Sequence, residues 1–328
     1  MRCLQSRTLH GDVIGKIRNI YNAFAIYSSF LEELSELSRL DLLYILIIKS
    51  LEVIPYKVLF YVGKVLAFLL YILPNKHKRI SRANLELVFS DKAPSQINSV
   101  LKDSLFHSIM NFLETGLVWG KKDYKKNKEF IDVKNFSEIE NSLSSGKGVL
   151  LFTPHIGNIE IIINFLGQHT DCTIPYTPPK NKDLDKVITD SRNSSGVKMV
   201  ETNVGGIKEM LLALNNKKLV AVASDQVPKR GAGISSTFFN NEVYSMNLLQ
   251  KLQQRTKCAA HFMYCERKER GEGFIIHFHN KIDFSSDDKE GADKMNNEFE
   301  KCIMKLPGQY AWEYKKFKRT KKVSIYDR

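Results

Sequence analysis

The chain contains 328 residues, 43% of them hydrophobic, and is therefore long enough for one large domain, with or without an attached helical segment. Its formal net charge of +13 favours anionic partners such as nucleic acid, acidic lipid or an acidic carrier protein. Five widely spread cysteines without a C-x-x-C pair argue against a disulfide framework and against export. The eight histidines show no spacing that pairs them with these cysteines, which argues against a bound metal, and no cofactor is expected.

The most apolar stretch of the chain covers residues 42–73, and the basic segment NKHKRISR at 75–82 follows it. Its longest uninterrupted part, Val58 to Leu73, is shorter than the ~20 residues that a spanning helix needs, and Lys64 lies near its middle. An apolar helix beside a basic flank is typical of a segment at an anionic cytoplasmic leaflet. We therefore predict an N-terminal helical region, residues 1–74, that anchors the protein to a membrane. The alternative is a buried helical hairpin.

An amphipathic helix and a charged run follow this region. Residues 95–119 carry apolar side chains at helical spacing, and KKDYKKNKEF at 121–130 is expected to be solvated. We assign residues 75–320 to one α/β domain and residues 321–328 to a basic tail.

From residue 147 onward, short apolar runs alternate with helical patterns. The strand patterns cover 148–152, 173–176, 198–201 and 219–224, and the helix patterns cover 158–167, 181–193 and 205–215. Residues 259–282 are expected to form a hairpin that turns near Gly271 and Gly273. The alternation is typical of βαβ units, so the predicted fold is α/β: a mostly parallel sheet flanked by helices, with the N-terminal helical membrane-associated segment attached.

The segment GVLLFTPHIGNIEII at 148–162 places His155 and Glu160 at a strand-to-helix junction. Functional residues of open α/β sheets collect at the carboxyl ends of the strands, where His155 is expected. Asn158 suits the N-cap of the next helix and Glu160 its first turn, so an ordinary capped helix is one interpretation. In the other, His155 accepts a proton from an attacking alcohol while Glu160 holds the second ring nitrogen.

A second strand end, LVAVASDQVPKRGAG at 219–233, carries Asp225 and Gln226 just beyond an apolar strand. The loop that follows carries Lys229 and Arg230. The segment is either an ordinary strand-to-loop exit or a place where a residue at the sheet edge binds the anionic head of a substrate or stabilises the site. The chain has neither a G-x-S-x-G nucleophile nor a cysteine next to His155. Any acyl chemistry is therefore expected to be direct transfer to a bound hydroxyl.

HIGNIE at 155–160 has a histidine, four residues and an acid, and further blocks accompany it in order. These are RISRANLELVF at 79–89, SRNSSG at 191–196, ASDQ at 223–226, STFFN at 236–240 and PGQYAWEYKKFKRT at 307–320. In this set the chain resembles the lysophospholipid acyltransferase superfamily, specifically the bacterial lipid A biosynthesis acyltransferases of the lauroyl/myristoyl type, over roughly residues 50–320. Asn240 stands where that family usually has glycine, and Lys316 where arginine is usual.

The resemblance implies that His155 and Glu160 form a catalytic dyad. It also implies that an acyl chain moves from a thioester, usually on acyl carrier protein, to a hydroxyl of the lipid A precursor, an anionic glycolipid. The expected substrate-binding residues are Asn158, Arg192, Asp225 and Gln226. The family's α/β fold is attached to the cytoplasmic face of the inner membrane, and a basic chain fits an acidic carrier and a phosphate-bearing acceptor.

Two other interpretations stay open. A relative with the same dyad can acylate another membrane lipid, such as a lysophospholipid or an aminolipid, because the dyad contacts only a hydroxyl and a thioester. In the second interpretation, the chain is a non-catalytic basic protein that binds membranes or RNA. The basic residues lack an interleaved aromatic platform, so we expect no nucleic-acid partner.

Overall fold

The computed structural model describes residues 47–119, 130–179, 181–284, 287–319 and 325–326. The predicted anchor ahead of residue 47, the charged run at 121–129 and most of the predicted tail lie outside the described residues. The fold below is that of the chain from Lys49 onward, which forms one compact unit.

Helices form the first part of this unit: α1 (Tyr56–Ile72), α2 (Lys76–Val88), α3 (Pro94–Leu113) and α4 (Thr115–Trp119). One face of α1 packs on α3, where Phe60 meets Phe106 edge to face at 5.1 Å and Gly63 lies against Met110. The predicted amphipathic helix at 95–119 is thus two helices that meet at Glu114.

Within the described ranges, each helix alone falls short of the length and apolar character that a membrane crossing requires. Of the helices in these ranges, only α1 and α2 together reach that length and composition, and the chain bends by 80° between them. Membrane attachment of the N-terminal region therefore stays a prediction.

A seven-stranded sheet forms the centre of the fold. Its strands are β1 (Ile131–Lys134), β2 (Val149–Thr153), β3 (Cys172–Tyr176), β4 (Lys198–Glu201), β5 (Leu219–Ala223), β8 (Ala259–Arg267) and β9 (Phe274–Ile282). Their order is β1-β9-β8-β2-β5-β3-β4, and each neighbouring pair is parallel except β8 and β9. The predicted parallel sheet and the hairpin at 259–282 are confirmed.

Both faces of the sheet are covered, as the apolar run of β2 requires. The remaining helices are α5 (Ser137–Ser144), α6 (Ile159–His169), α7 (Lys182–Ser194), α8 (Val204–Asn215), α9 (Leu248–Thr256) and α10 (Asp288–Lys305). Leu150 and Phe152 enter the core with α8, α9 and α10, whereas Val149 and Leu151 enter the core with α5 and α6. The predicted α/β fold with flanking helices is therefore confirmed.

A separate antiparallel hairpin, β6 (Gly233–Phe238) and β7 (Asn241–Met246), follows β5. Its two turn residues, Phe239 and Asn240, have φ angles of 46° and 56°. Asparagine is one of the few residues that tolerate this left-handed conformation, so Asn240 can replace the glycine that is usual in the family.

Candidate active site

The sheet register brings His155 and Asp225 together. β2 and β5 are adjacent parallel strands in which Thr153 lies opposite Ala223. His155 and Asp225 each follow two residues later, so both stand just beyond the carboxyl edge of the sheet. This edge is the expected position of a functional site in an open α/β sheet.

Asp225 holds the His155 ring and its backbone at once. The Asp225 Oδ1 atom lies 2.6 Å from His155 Nδ1, and Asp225 Oδ2 accepts the His155 backbone N–H at 3.0 Å. A carboxylate on this side requires a proton on Nδ1, which leaves the Nε2 lone pair free. The His155 side chain is 34% exposed, so Nε2 can accept a proton from a bound hydroxyl.

The protonation of the pair follows from its surroundings. Burial by itself lowers the pKa of His155, but the charge and hydrogen bond of Asp225, helped by the charge of Glu313, raise it above its ordinary value. Burial raises the pKa of Asp225, but His155 and the charge of Lys316 lower it by more. Asp225 is therefore ionised at neutral pH, where it stabilises a proton on His155.

Asp225 is only 3% exposed and has two further partners from the chain beyond α10. Lys316 Nζ donates to its backbone oxygen at 2.5 Å, and Tyr310 lies close enough that the charge of Asp225 adds to burial in raising the pKa of its hydroxyl. Burial lowers the pKa of Lys316 to about 8, an effect that the charge of Asp225 opposes. These contacts hold the carboxylate in one orientation toward His155.

The turn between His155 and α6 is tightly constrained. Gly157 has a φ of 60°, and a Cβ atom there would lie 2.0 Å from the Cys265 carbonyl oxygen, so a larger residue cannot be accommodated. Ile156 forms an antiparallel bridge with Tyr310, and the Ala311 N–H donates to the His155 carbonyl oxygen at 3.0 Å. The segment beyond α10 thus fixes the backbone of the His155 loop.

Glu160 does not contact His155 in this structure, although the sequence led us to expect that it holds the second ring nitrogen. As the second residue of α6, it points toward α4 and α7, where Trp119 Nε1 donates to its Oε2 at 3.1 Å. Arg192 Nε donates to the same oxygen at 3.2 Å, and Arg192 Nη2 to Oε1. The Glu160 and Arg192 side chains are 17% and 15% exposed.

The four expected substrate-binding residues differ in how far their side chains are already hydrogen-bonded within the protein. Asn158 is the predicted N-cap, and its Oδ1 accepts the Glu160 N–H at 2.9 Å. Its Nδ2 donates to Glu114 Oε2, so both ends of the side-chain amide have a partner within the protein. The Arg192 guanidinium donates its hydrogen bonds to Glu160. Gln226 is exposed, and its side-chain nitrogen lies 3.5 Å from His155 Nε2. Of the four, Gln226 is therefore the one directed at the open side of the imidazole.

A buried ion pair, absent from the sequence-based predictions, lies behind the site. Glu114 and Arg267 are both fully buried, and Arg267 Nε and Nη2 donate to the two Glu114 oxygens at 2.7 and 2.6 Å. Tyr56 and Asn158 each donate to the same carboxylate at 2.7 Å. Because Asn158 caps α6, this network connects the N-terminal helices to the His155 loop.

We expect Arg267→Met to lower the free energy of unfolding by about 3–5 kcal/mol, because it leaves the Glu114 carboxylate buried without its cation. Urea unfolding followed by circular dichroism measures the loss. Lys198→Met, which breaks an exposed pair with Glu209, is the matched control and should change stability little. A loss no larger than that of the control would contradict the importance of the buried pair.

The family model for bacterial lipid A biosynthesis acyltransferase matches residues 28–319. The lipid A biosynthesis palmitoleoyltransferase of Escherichia coli (strain K12) is 24% identical over 267 residues, 81% of this chain and 86% of the relative. The lipid A biosynthesis lauroyltransferase of the same organism is 24% identical over 269 residues, 81% and 87% of the two chains. A lipid A biosynthesis acyltransferase of Haemophilus influenzae is 26% identical over 294 residues, 85% and 91% of the two chains.

Proposed function

The chain belongs to the bacterial lipid A biosynthesis acyltransferase family and is therefore an acyltransferase, and from this premise we propose how it works. A fatty acyl chain is transferred from an acyl thioester on acyl carrier protein to a hydroxyl of a lipid A precursor, with His155 as the general base. The observation that carries this proposal is the His155 ring at the carboxyl edge of the sheet, held by Asp225 at Nδ1, with Nε2 on the open side beside the Gln226 amide.

In the proposed reaction the acceptor oxygen attacks the thioester carbonyl carbon while His155 Nε2 takes the hydroxyl proton. Asp225 stabilises the imidazolium that forms. The tetrahedral intermediate then expels the thiolate, and His155 returns the proton to the sulfur, which yields an ester and a thiol. The exposed Gln226 amide, beside Nε2, is placed to donate a hydrogen bond to the reacting oxygen atoms.

Glu160, Arg192 and Asn158 have positioning roles in this proposal. The Glu160–Arg192 pair and Trp119 attach the start of α6 to its neighbours, and Asn158 caps that helix. The His155 loop is thereby held between this cluster and the buried Glu114 network. The acid of the HIGNIE motif thus supports the histidine through the backbone rather than by a direct bond.

Charge supports the proposed substrates. The net charge of +13 attracts both an acidic carrier protein and the phosphates of a lipid A precursor. Lys229 and Arg230, exposed in the loop just after Asp225, are the basic residues nearest in sequence to that carboxylate. A lysophospholipid or an aminolipid stays the alternative acceptor, because the imidazole itself recognises only a hydroxyl.

The experiment that tests the proposal offers purified protein an acyl thioester of either acyl carrier protein or coenzyme A, together with a lipid A precursor, a lysophospholipid or an aminolipid. Mass spectrometry then shows which lipid gains an acyl chain. We expect the gain on the lipid A precursor and the release of free carrier thiol. Gain on another lipid only would replace the proposed acceptor, and acylation from coenzyme A only would replace the proposed donor.

We further propose that the outer face of α1 lies on the cytoplasmic leaflet of the inner membrane. This face exposes apolar side chains at helical spacing: Val58, Tyr61, Val62, Val65, Leu66, Phe68, Leu69 and Ile72. Exposed Lys57 precedes it, exposed Lys64 interrupts it, and exposed Lys76 and Arg79 follow it. An apolar face with basic ends fits an in-plane contact with an anionic lipid surface.

The double variant Val65→Glu/Phe68→Glu should bind vesicles of anionic phospholipid at least about tenfold more weakly than wild type, because each apolar side chain contributes about 1.5–3 kcal/mol when buried. Flotation of the full chain measures the binding. The matched control Val204→Glu/Leu212→Glu changes two exposed apolar residues of α8 and should float like wild type. Equal flotation of all three proteins would exclude the α1 face as the lipid contact.

A further inference from the structure

Glu313 lies in the segment that crosses the His155 loop beyond α10. Asn84 Nδ2 donates to the carbonyl oxygens of Trp312 at 2.6 Å and Tyr314 at 2.8 Å, one on each side of Glu313. The antiparallel bridge between Ile156 and Tyr310 attaches the same segment to the His155 loop. The position of Glu313 beside that loop is therefore set by the backbone and not by contacts of its own side chain.

One carboxylate oxygen of Glu313 is buried but unsatisfied. Its Oε2 atom has no hydrogen-bond partner among the described residues. A buried carboxylate oxygen that lacks a donor costs free energy, since it has lost its hydrogen bonds to water and gained none in return. Such an atom beside a candidate functional site calls for a donor from outside the chain.

This carboxylate lies near the part of the molecule where the proposed reaction takes place. Its charge acts on the His155 ring together with that of Asp225. Asp225 already occupies Nδ1 and fixes the tautomer, so a second carboxylate is not needed to orient the ring. Among the described residues, no hydrogen bond or ion pair includes the Glu313 side chain, so its carboxylate is available to a bound molecule.

We propose that Glu313 is a substrate-binding residue whose unpartnered carboxylate accepts a hydrogen bond from an N–H or O–H group of a substrate bound against His155. The inference rests on the proposed acyl transfer and adds to it a residue that contacts substrate. Both substrates carry such donors, namely the amides of the thioester's carrier arm and the hydroxyl or amide groups of the acceptor. The shared chemistry is a neutral donor group, which a lone carboxylate binds by a charge-assisted hydrogen bond.

The test compares steady-state kinetics of the wild-type protein with Glu313→Ala and Glu313→Gln, varying the acyl thioester and the acceptor separately. In Glu313→Ala the KM for one of the two substrates should rise about 10- to 100-fold, the usual effect of a hydrogen bond to a charged group. Glu313→Gln should show a smaller rise, because its amide oxygen still accepts. The substrate whose KM changes identifies the source of the donor group.

The pH profile of kcat/KM is a second readout, and it depends only on the charge of Glu313. Catalysis needs a neutral His155, so its raised pKa sets the acid limb of the pH profile of kcat/KM. The charged groups that act on His155 are Asp225 and Glu313, and Lys316 lies behind Asp225. Removing the negative charge in Glu313→Gln lowers the pKa of His155, so the acid limb should move to lower pH.

The matched control is Glu209→Gln, which removes one negative charge from an exposed pair on α8 and should change neither KM nor the pH profile. Unchanged KM values and an unchanged acid limb in both Glu313 variants would overturn the inference. So would a fall in melting temperature that parallels the loss of activity in both, since Glu313 would then be structural. Substrate binding measured by calorimetry separates the two proposals: wild-type binding without turnover contradicts the acyl transfer, while loss of affinity in Glu313→Ala still supports this inference.

Discussion

Replacement of Asp225 by asparagine is expected to reduce kcat by about 10⁴-fold, as neutralising the acid of a Ser-His-Asp triad does. Asparagine can donate its amide N–H to Nδ1 of His155, which places the ring proton on Nε2 and removes the lone pair that must accept the substrate proton. The imidazolium also loses its counter-charge. Initial rates of acyl transfer measure the effect, and circular dichroism shows that the variant is folded.

The pH profile distinguishes Asp225 from Glu160. Asp225 raises the pKa of His155, so the residual activity of Asp225→Asn should have its acid limb at lower pH than wild type. Glu160 binds Arg192 and Trp119 instead of the ring. Glu160→Gln should therefore leave the acid limb in place, whatever it does to turnover. A shift of the limb in Glu160→Gln, with none in Asp225→Asn, would restore Glu160 as the partner of the histidine.

Replacement of His155 by alanine is expected to lower kcat by about 10²- to 10⁴-fold, the range for loss of a general base. The melting temperature should change little, because Asp225 keeps the backbone N–H of residue 155 and the charge of Lys316. Rates with purified acyl thioester and acceptor, measured beside thermal unfolding, test both statements.

His169→Ala is the matched control for this variant. His169 is an exposed histidine in the last turn of α6, stacked on Phe165, and it belongs to the same strand-to-helix unit as His155. It should retain wild-type turnover. Near wild-type turnover in His155→Ala would exclude this residue as the base, and an equal loss in both variants would indicate a general disturbance of α6.

Much of the sheet was predictable because its strands and helices carry local signals. The apolar run before His155 and the run before Asp225 each predicted a strand, and the structure places both in the centre of the sheet as β2 and β5. Asn158 predicted the N-cap of α6 from side-chain chemistry alone. The break at Glu114 was not predicted, because the apolar spacing continues across it from α3 into α4.

The partner of His155 was not predictable from the motif, because spacing along one helix says nothing about the neighbouring strand. A usable signal was nevertheless present. His155 and Asp225 each lie two residues beyond the end of an apolar strand, and adjacent parallel strands end at the same edge. Aligning the two strand ends would have paired these residues.

Arg267, Tyr310 and Glu313 were missed for a different reason. Arg267 stands in a charged stretch, CERKER, that is typical of an exposed hairpin turn, although its side chain is buried against Glu114. The segment around Tyr310 and Glu313 is rich in aromatic residues, a pattern typical of core packing. Trp312 and Phe317 do pack in the core, and their neighbours approach His155 only through tertiary contacts.

The bridge between Tyr310 and the His155 loop has a consequence for the order of folding. The His155 and Asp225 side chains are separated by 70 residues in sequence, Asp225 and Lys316 by 91, and Glu114 and Arg267 by 153. Contacts between such distant residues close large loops, whose entropy cost makes them slower to form than the helices. During synthesis, moreover, Asp225 leaves the ribosome before Tyr310 and Lys316 exist. We therefore expect the imidazole–carboxylate pair to acquire its final orientation late, when the segment beyond α10 docks, so that a chain with most of its secondary structure still lacks the complete candidate site.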